Sequence, residues 1–228
     1  MHAMHADSSR TLPKPESGMA HATPGRALID VTERRHEMTN KIPQWFDRLD
    51  MLEWQLCQRT AGFSIYRPWL STLKIASKLG DWPVWVALII ALPALHGRDI
   101  GLRLMFEYIS TALVAIAVYK LLKTRLCRER PFITFGGSIQ CNEPARDRYS
   151  FPSGHTMHAV MFCTLAAVHS PVLLPWLLPL AGLIAISRVG LGLHYYSDVV
   201  AGAALGYAMA LASLGLSTTS VLMVAATS

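Results

Sequence analysis

A chain of 228 residues that is 52% hydrophobic and only 16% charged is too apolar for an ordinary soluble globule and fits a polytopic membrane protein. Its formal charge of +6 is not laid out as a basic stripe beside aromatics. That argues against nucleic acid as a partner and for a membrane surface or an anionic substrate.

Residues 1–41 read as a polar, proline-rich, disordered tail without the apolar run of a secretory signal. Residues 42–80 mix Trp, Leu and Ile with charges. Trp45, Leu49, Leu52, Leu56 and Cys57 recur there at helical spacing opposite a charged face. The pattern predicts one or two amphipathic helices, lying at the membrane interface or packed on the bundle. Residues 81–228 hold five apolar blocks, over 82–95, 100–122, 155–169, 172–186 and 196–224. Several are shorter than the ~20 residues that cross a bilayer comfortably, a deficit that polar ends lining a shared cavity would make up. Trp82, Trp85, Tyr119 and Trp176 sit near block ends, where interfacial aromatics belong. Gly202 and Gly206 form a small-xxx-small pair, read as close helix packing within the chain. The expected fold is all-α: a polytopic membrane bundle of about five transmembrane helices, preceded by the amphipathic segment.

Cys57, Cys127, Cys141 and Cys163 show no CxxC or zinc-type spacing, so no metal site is expected. Cys127 and Cys141 share one polar loop and are read as unpaired thiols, with a disulfide as the alternative if that loop lies outside the cytosol.

Polar residues gather at three places: Lys123 to Pro131, Ser150 to His155, and Ser187 to Asp198. If each block crosses once, all three fall at the same membrane depth on the same side. Lys123 offers a compact charge, and Arg130 and Arg188 planar forks, a set suited to holding a phosphate. Ser150 is expected to cap the third block. That would leave the backbone N–H groups near Ser153 and Gly154 to face an anion, helped by the helix dipole. His194 and Asp198 stand four apart, so the carboxylate can fix one imidazole nitrogen and leave the other as a nucleophile. His155 is then the group able to protonate a leaving oxygen. His158 and His169 have no partner in the sequence and are read as structural.

Lys123 with Arg130-Pro131, Pro152-Ser153-Gly154-His155, and Ser187-Arg188 with His194 and Asp198 resemble the three signature motifs of the type 2 phosphatidic acid phosphatase and vanadium haloperoxidase superfamily. The resemblance implies a metal-independent membrane phosphatase, without a cofactor, that works through a phosphohistidine. In that scheme His194 attacks phosphorus and Asp198 orients it. His155 protonates the leaving oxygen and then activates water. Lys123, Arg130, Arg188, Ser153 and Gly154 hold the phosphoryl oxygens. The soluble, halide-oxidising branch does not match a chain with membrane blocks.

The implied substrate is a lipid phosphate or diphosphate: a prenyl diphosphate, a prenyl-phosphoryl sugar phosphate or a phospholipid phosphate. A lipid-to-lipid phosphotransferase and a non-catalytic phospholipid-binding protein are the competing readings; the second would be expected to have lost motif residues, and none is lost. Of the 21 Lys and Arg, only Arg98 and Arg103 fall on the face opposite the clusters, if 42–78 does not cross. The positive-inside rule then predicts a cytosolic site in a bacterial inner membrane, with a periplasmic site as the alternative if that stretch spans.

Overall fold

The computed structural model describes residues 45–63, 66–135, 139, 143, 145 and 147–227. The tail expected over 1–41 lies outside them, as does Cys141. The described chain forms α1 (Trp45–Phe63), α2 (Arg67–Leu79), α3 (Pro83–His96), α4 (Arg98–Leu126) and the single turn α5 (Pro131–Thr134). Then come α6 (Gly154–His169), a 3-10 turn at Pro171–Leu173, α7 (Leu174–Gly190) and α8 (Tyr196–Thr227). Among the described residues the one strand-like pairing is an antiparallel bridge between Glu129 and Tyr149.

Proline sets several starts: α2, α3, α5 and α7 each carry one in the first two helical positions, where a missing N–H deprives no intrahelical bond. Helix α4 stops where Cys127 turns to a left-handed φ of 48°, which directs the following arginines back toward the bundle.

Three stretches are long and apolar enough to cross a membrane: Arg98–Leu126, Pro171–Gly190 and Tyr196–Thr218. A fourth is α2 with α3, taken as one span bent by 51°. The five apolar blocks correspond to α3, α4, α6, α7 and α8. With 16 residues, α6 is about 24 Å long, against an apolar layer of about 30 Å. It runs through the middle of the bundle, packed by α4, α7 and α8. There it buries Met157, Met161, Phe162 and Leu165.

The contact between α6 and α8 depends on the two glycines singled out in the sequence. A Cβ on Gly202 would stand 2.4 Å from the Ser153 carbonyl oxygen, and one on Gly206 2.1 Å from that of Met157. The pair packs within the chain, as expected.

Contacts fix the direction of each pass. At one end His96 Nε2 lies 2.7 Å from Ser170 Oγ, and His169 Nε2 lies 3.8 Å from Glu107 Oε2. Ser213 of α8 joins that polar group through Thr111 and Glu107. The end of α4, the start of α6, the end of α7 and the start of α8 meet at the other. Around the bundle Phe106, Leu113, Trp176 and Leu216 are exposed, the apolar exterior that lipid requires.

Two expectations need correcting. Trp85 is not an interfacial anchor: it is buried and stacked on Phe162, ring centroids 5.1 Å apart. The inward stripe of α1 is Phe46, Asp50, Cys57 and Ala61, while Leu52 and Leu56 are exposed. An acid belongs to that inner face because a buried arginine waits opposite it. Both α1 and α2 pack on α7.

Candidate functional site

The three polar clusters line one cavity of about 490 Å³. Its wall includes Lys123, Arg130, Gly154, His155, Arg188 and His194, with Asp81, Tyr119, Asp147 and His158. Ser153 and Asp198 stand behind that wall.

The loop after α4 is tied to the one before α6. Ser150 N–H donates to the Arg128 carbonyl at 2.8 Å, and Ser150 Oγ donates to that of Glu129 at 3.0 Å. Ser150 therefore joins two loops rather than capping α6; Ser153 occupies the N-cap position. The Ser153 hydroxyl pairs with Thr156 Oγ1 at 3.0 Å, and its N–H donates to the Asp198 carbonyl at 3.0 Å. The Ser153 N–H expected to face an anion is thus engaged inside the protein, and its hydroxyl is paired with Thr156. The N–H groups of Gly154, His155 and Thr156 lie in the first turn of α6, where no intrahelical acceptor exists. Gly154 also admits Tyr119, whose ring would be 3.1 Å from an added Cβ.

His194 sits in the five-residue turn between α7 and α8, where Gly192 takes a positive φ of 76°. Its N–H donates to the Arg188 carbonyl at 3.0 Å. Nε2 lies 3.4 Å from Arg130 Nη1, and Nδ1 lies 3.5 Å from Asp198 Oδ2. Nδ1 has no hydrogen-bond partner among the described residues. Burial, and then the charges of Arg188, Arg130 and Lys123, push the imidazole well below its ordinary 6.5. At neutral pH it is uncharged, with a lone pair available.

Asp198 is fully buried and held on both oxygens. Oδ2 accepts from the Tyr195 N–H at 2.9 Å and Oδ1 from Arg128 Nη1 at 2.6 Å. Arg128, 1% exposed, also donates to Asp50 Oδ1 and Ser197 Oγ and lies over the Tyr195 ring. Glu53 Oε2 is 3.5 Å away. Burial pushes the Asp50 carboxyl up to about 6 against the pull of Arg128.

His155 Nε2 lies 2.8 Å from Asp81 Oδ1. Arg188 donates from Nη1 to Ser77 Oγ at 2.6 Å, while its Nε is buried without a partner among the described residues. Such an orphan costs about 1–3 kcal/mol, a cost that an anion in the cavity would offset. Lys123 Nζ bonds the Tyr119 hydroxyl at 2.6 Å, so Tyr119 belongs to the cavity and not to the interfacial belt. His158 donates Nδ1 to the Gly154 carbonyl and stacks on Phe162, yet it also lines the cavity.

Sequence reasoning brought the motif residues together and missed Asp50, Ser77, Asp81, Arg128 and Asp147. Block parity held one available signal. Asp81 opens the first block and so falls on the same face as the clusters. Arg128 stood inside the first cluster without a role. Among the described residues no group of His, Cys, Asp and Glu is arranged to hold a metal ion.

A sequence model described as the PAP2 superfamily matches residues 104–221. Over 133 residues the chain is 32% identical to an undecaprenyl-diphosphatase of Sulfolobus acidocaldarius, a match covering 57% of this chain and 62% of that protein. Two solved structures share the fold. One is the transmembrane PAP2-type phosphatidylglycerolphosphate phosphatase of Bacillus subtilis, with a TM-score of 0.57, 23% identity and coverage of 72% of this chain and 86% of that one. The other is LpxE of Aquifex aeolicus, with a TM-score of 0.61, 24% identity and coverage of 72% and 95%.

Proposed function

Because the chain belongs to the PAP2 superfamily, we propose that it is an integral-membrane phosphatase that hydrolyses a lipid phosphate or diphosphate through a phosphohistidine. The observation that carries this reading is the single cavity in which an uncharged His194 faces Lys123, Arg130, Arg188 and the first turn of α6. Those groups can hold the three non-bridging oxygens of a phosphoryl group. Nε2 of His194 then attacks phosphorus as the bond to the lipid oxygen breaks, and His155, held by Asp81, gives that oxygen its proton. In the second half His155 takes a proton from water, whose oxygen attacks phosphorus. The P–N bond breaks and inorganic phosphate leaves. Asp198, with Oδ2 3.5 Å from Nδ1 of His194, offsets the positive charge the ring carries as the phosphohistidine.

The undecaprenyl-diphosphatase relative makes a polyprenyl diphosphate the first substrate to test, beside phosphatidylglycerophosphate, lipid A and a prenyl-phosphoryl sugar phosphate. Purified protein should release phosphate from at least one of these in the presence of chelator, and His194→Ala should lower the rate by about 10³-fold or more. Full activity in that variant would overturn the assignment.

The finer reading of location is a cytosolic cavity. Lys74, Lys78, Lys120, Arg125 and Arg148 surround the cavity end, whereas Arg98 and Arg103 mark the other. An impermeant thiol reagent applied to intact cells should then spare Cys141, and labelling would move the cavity outside.

A further inference from the structure

Two of the cations lining the cavity, Lys123 and Arg130, are bridged by one carboxylate. Asp147 Oδ2 lies 2.8 Å from Lys123 Nζ, and Oδ1 lies 3.0 Å from Arg130 Nη2. Arg130 Nε also donates to the Asp147 carbonyl at 2.8 Å. The carboxylate takes up the donors that two oxygens of a phosphoryl group would use. Partial burial works against its charge, yet hydrogen bonds and charge from Lys123, and then from Arg130, hold the carboxyl below its ordinary 3.8. It is ionised at neutral pH. With its side chain 42% exposed, it can turn toward water without opening the bundle.

We propose that Asp147 is a built-in rival of the substrate phosphate, and that this rivalry selects terminal phosphates over phosphodiesters. The inference rests on the phosphatase reading above. A terminal phosphate brings up to two negative charges and three non-bridging oxygens. A phosphodiester brings one charge and two such oxygens. Exchanging the Asp147 bridge for a dianion increases the negative charge facing Lys123, Arg130 and Arg188. Exchange for a diester gains no charge and gives up a bridge already formed. A site embedded among phosphodiester lipids is thereby kept clear of them, while a lipid carrying a terminal phosphate displaces the carboxylate. The same carboxylate returns as inorganic phosphate leaves.

The test uses the full chain in detergent, with inorganic phosphate as probe and binding read by calorimetry, so that turnover is not required. Asp147→Asn should bind phosphate more tightly, by about tenfold or more, the effect of weakening the carboxylate's charge-assisted contacts to Lys123 and Arg130. Its hydrolysis of a lipid phosphate should become sensitive to added phosphatidylglycerol at levels that leave the unmodified protein unaffected. Glu129→Gln removes one negative charge from the neighbouring loop, where Glu129 pairs with Arg148, and should leave phosphate affinity unchanged. Unchanged or weaker phosphate binding in Asp147→Asn would overturn the proposal, because the carboxylate would then only position Lys123 and Arg130. Equal tightening in Glu129→Gln would overturn it as well, as a general charge effect. Tighter phosphate binding with no hydrolysis by either protein would uphold the rivalry and remove the phosphatase reading instead.

Discussion

The cavity is built from two regions that treat their histidines differently. The inner region, beyond residue 104, supplies His194 and Asp198, both essentially closed to solvent and 3.5 Å apart. The outer shell, from α1 to the turn between α2 and α3, supplies Asp81, which meets a partly exposed His155 at 2.8 Å. The nucleophile proposed at His194 must stay uncharged and dry, and burial among cations achieves that. A group that passes protons to a leaving oxygen and then to water has to stand where water can reach. On the proposed roles, the difference teaches that the family motif carries the charged surroundings of His194, whereas Asp81, which meets His155, comes from a part of the chain the motif does not include.

Replacing each carboxylate in turn would sharpen or break that contrast. Asp198→Asn leaves a buried imidazole without its counter-charge, and kcat should fall by about 10²–10⁴-fold. Asp81→Asn removes one orienting contact at a partly exposed site, for which about tenfold is expected, since a net hydrogen bond of about 1–1.5 kcal/mol converts to that factor. Steady-state hydrolysis by the two variants measures both. Equal losses would mean that the shell pair is as deeply involved as the core pair, and the division would fail.

The same division separates what could be read in the sequence from what could not. Helices α4, α6, α7 and α8 announce themselves as apolar blocks, and parity brings Lys123, Arg130, His155, Arg188 and His194 to one end. The i, i+4 spacing of His194 and Asp198 marks them as a pair, although α8 begins only at Tyr196 and the turn before it brings Nδ1 to 3.5 Å from Oδ2. Arg128 and Asp50 are different, because neither means anything until α1 is packed beside the loop after α4. Charged residues on an amphipathic helix ordinarily face water, so Asp50 looked like part of a solvated face and is instead 7% exposed. The Ser153 backbone N–H differs for the opposite reason. Its motif position suggested an anion donor, but the close approach of α6 and α8 at Gly202 lets the Asp198 carbonyl take its N–H.

The smallest effect concerns stability, and here the two regions should respond to acid with opposite signs. His194 has a folded value well below 6.5. As pH falls through 6.5 the unfolded chain binds a proton that the folded protein refuses, and stability is lost. Asp50 has a folded value of about 6 against an ordinary 3.8. As pH falls through 6 the folded protein binds a proton that the unfolded chain does not yet take, and stability is gained until about the ordinary value is reached. Between pH 7.5 and 5, His194→Gln should therefore lose less thermal stability than the unmodified protein, and Asp50→Asn should lose more. Differences of roughly 2–4 °C in midpoint correspond to about 1 kcal/mol in a chain of this size, and thermal unfolding in detergent at the two pH values would resolve them. If Asp50→Asn instead lost as much stability between the two pH values as the unmodified protein, Asp50 would remain ionised throughout. Arg128 would then outweigh burial at the shell acid, and the boundary between the two regions would not run through that arginine.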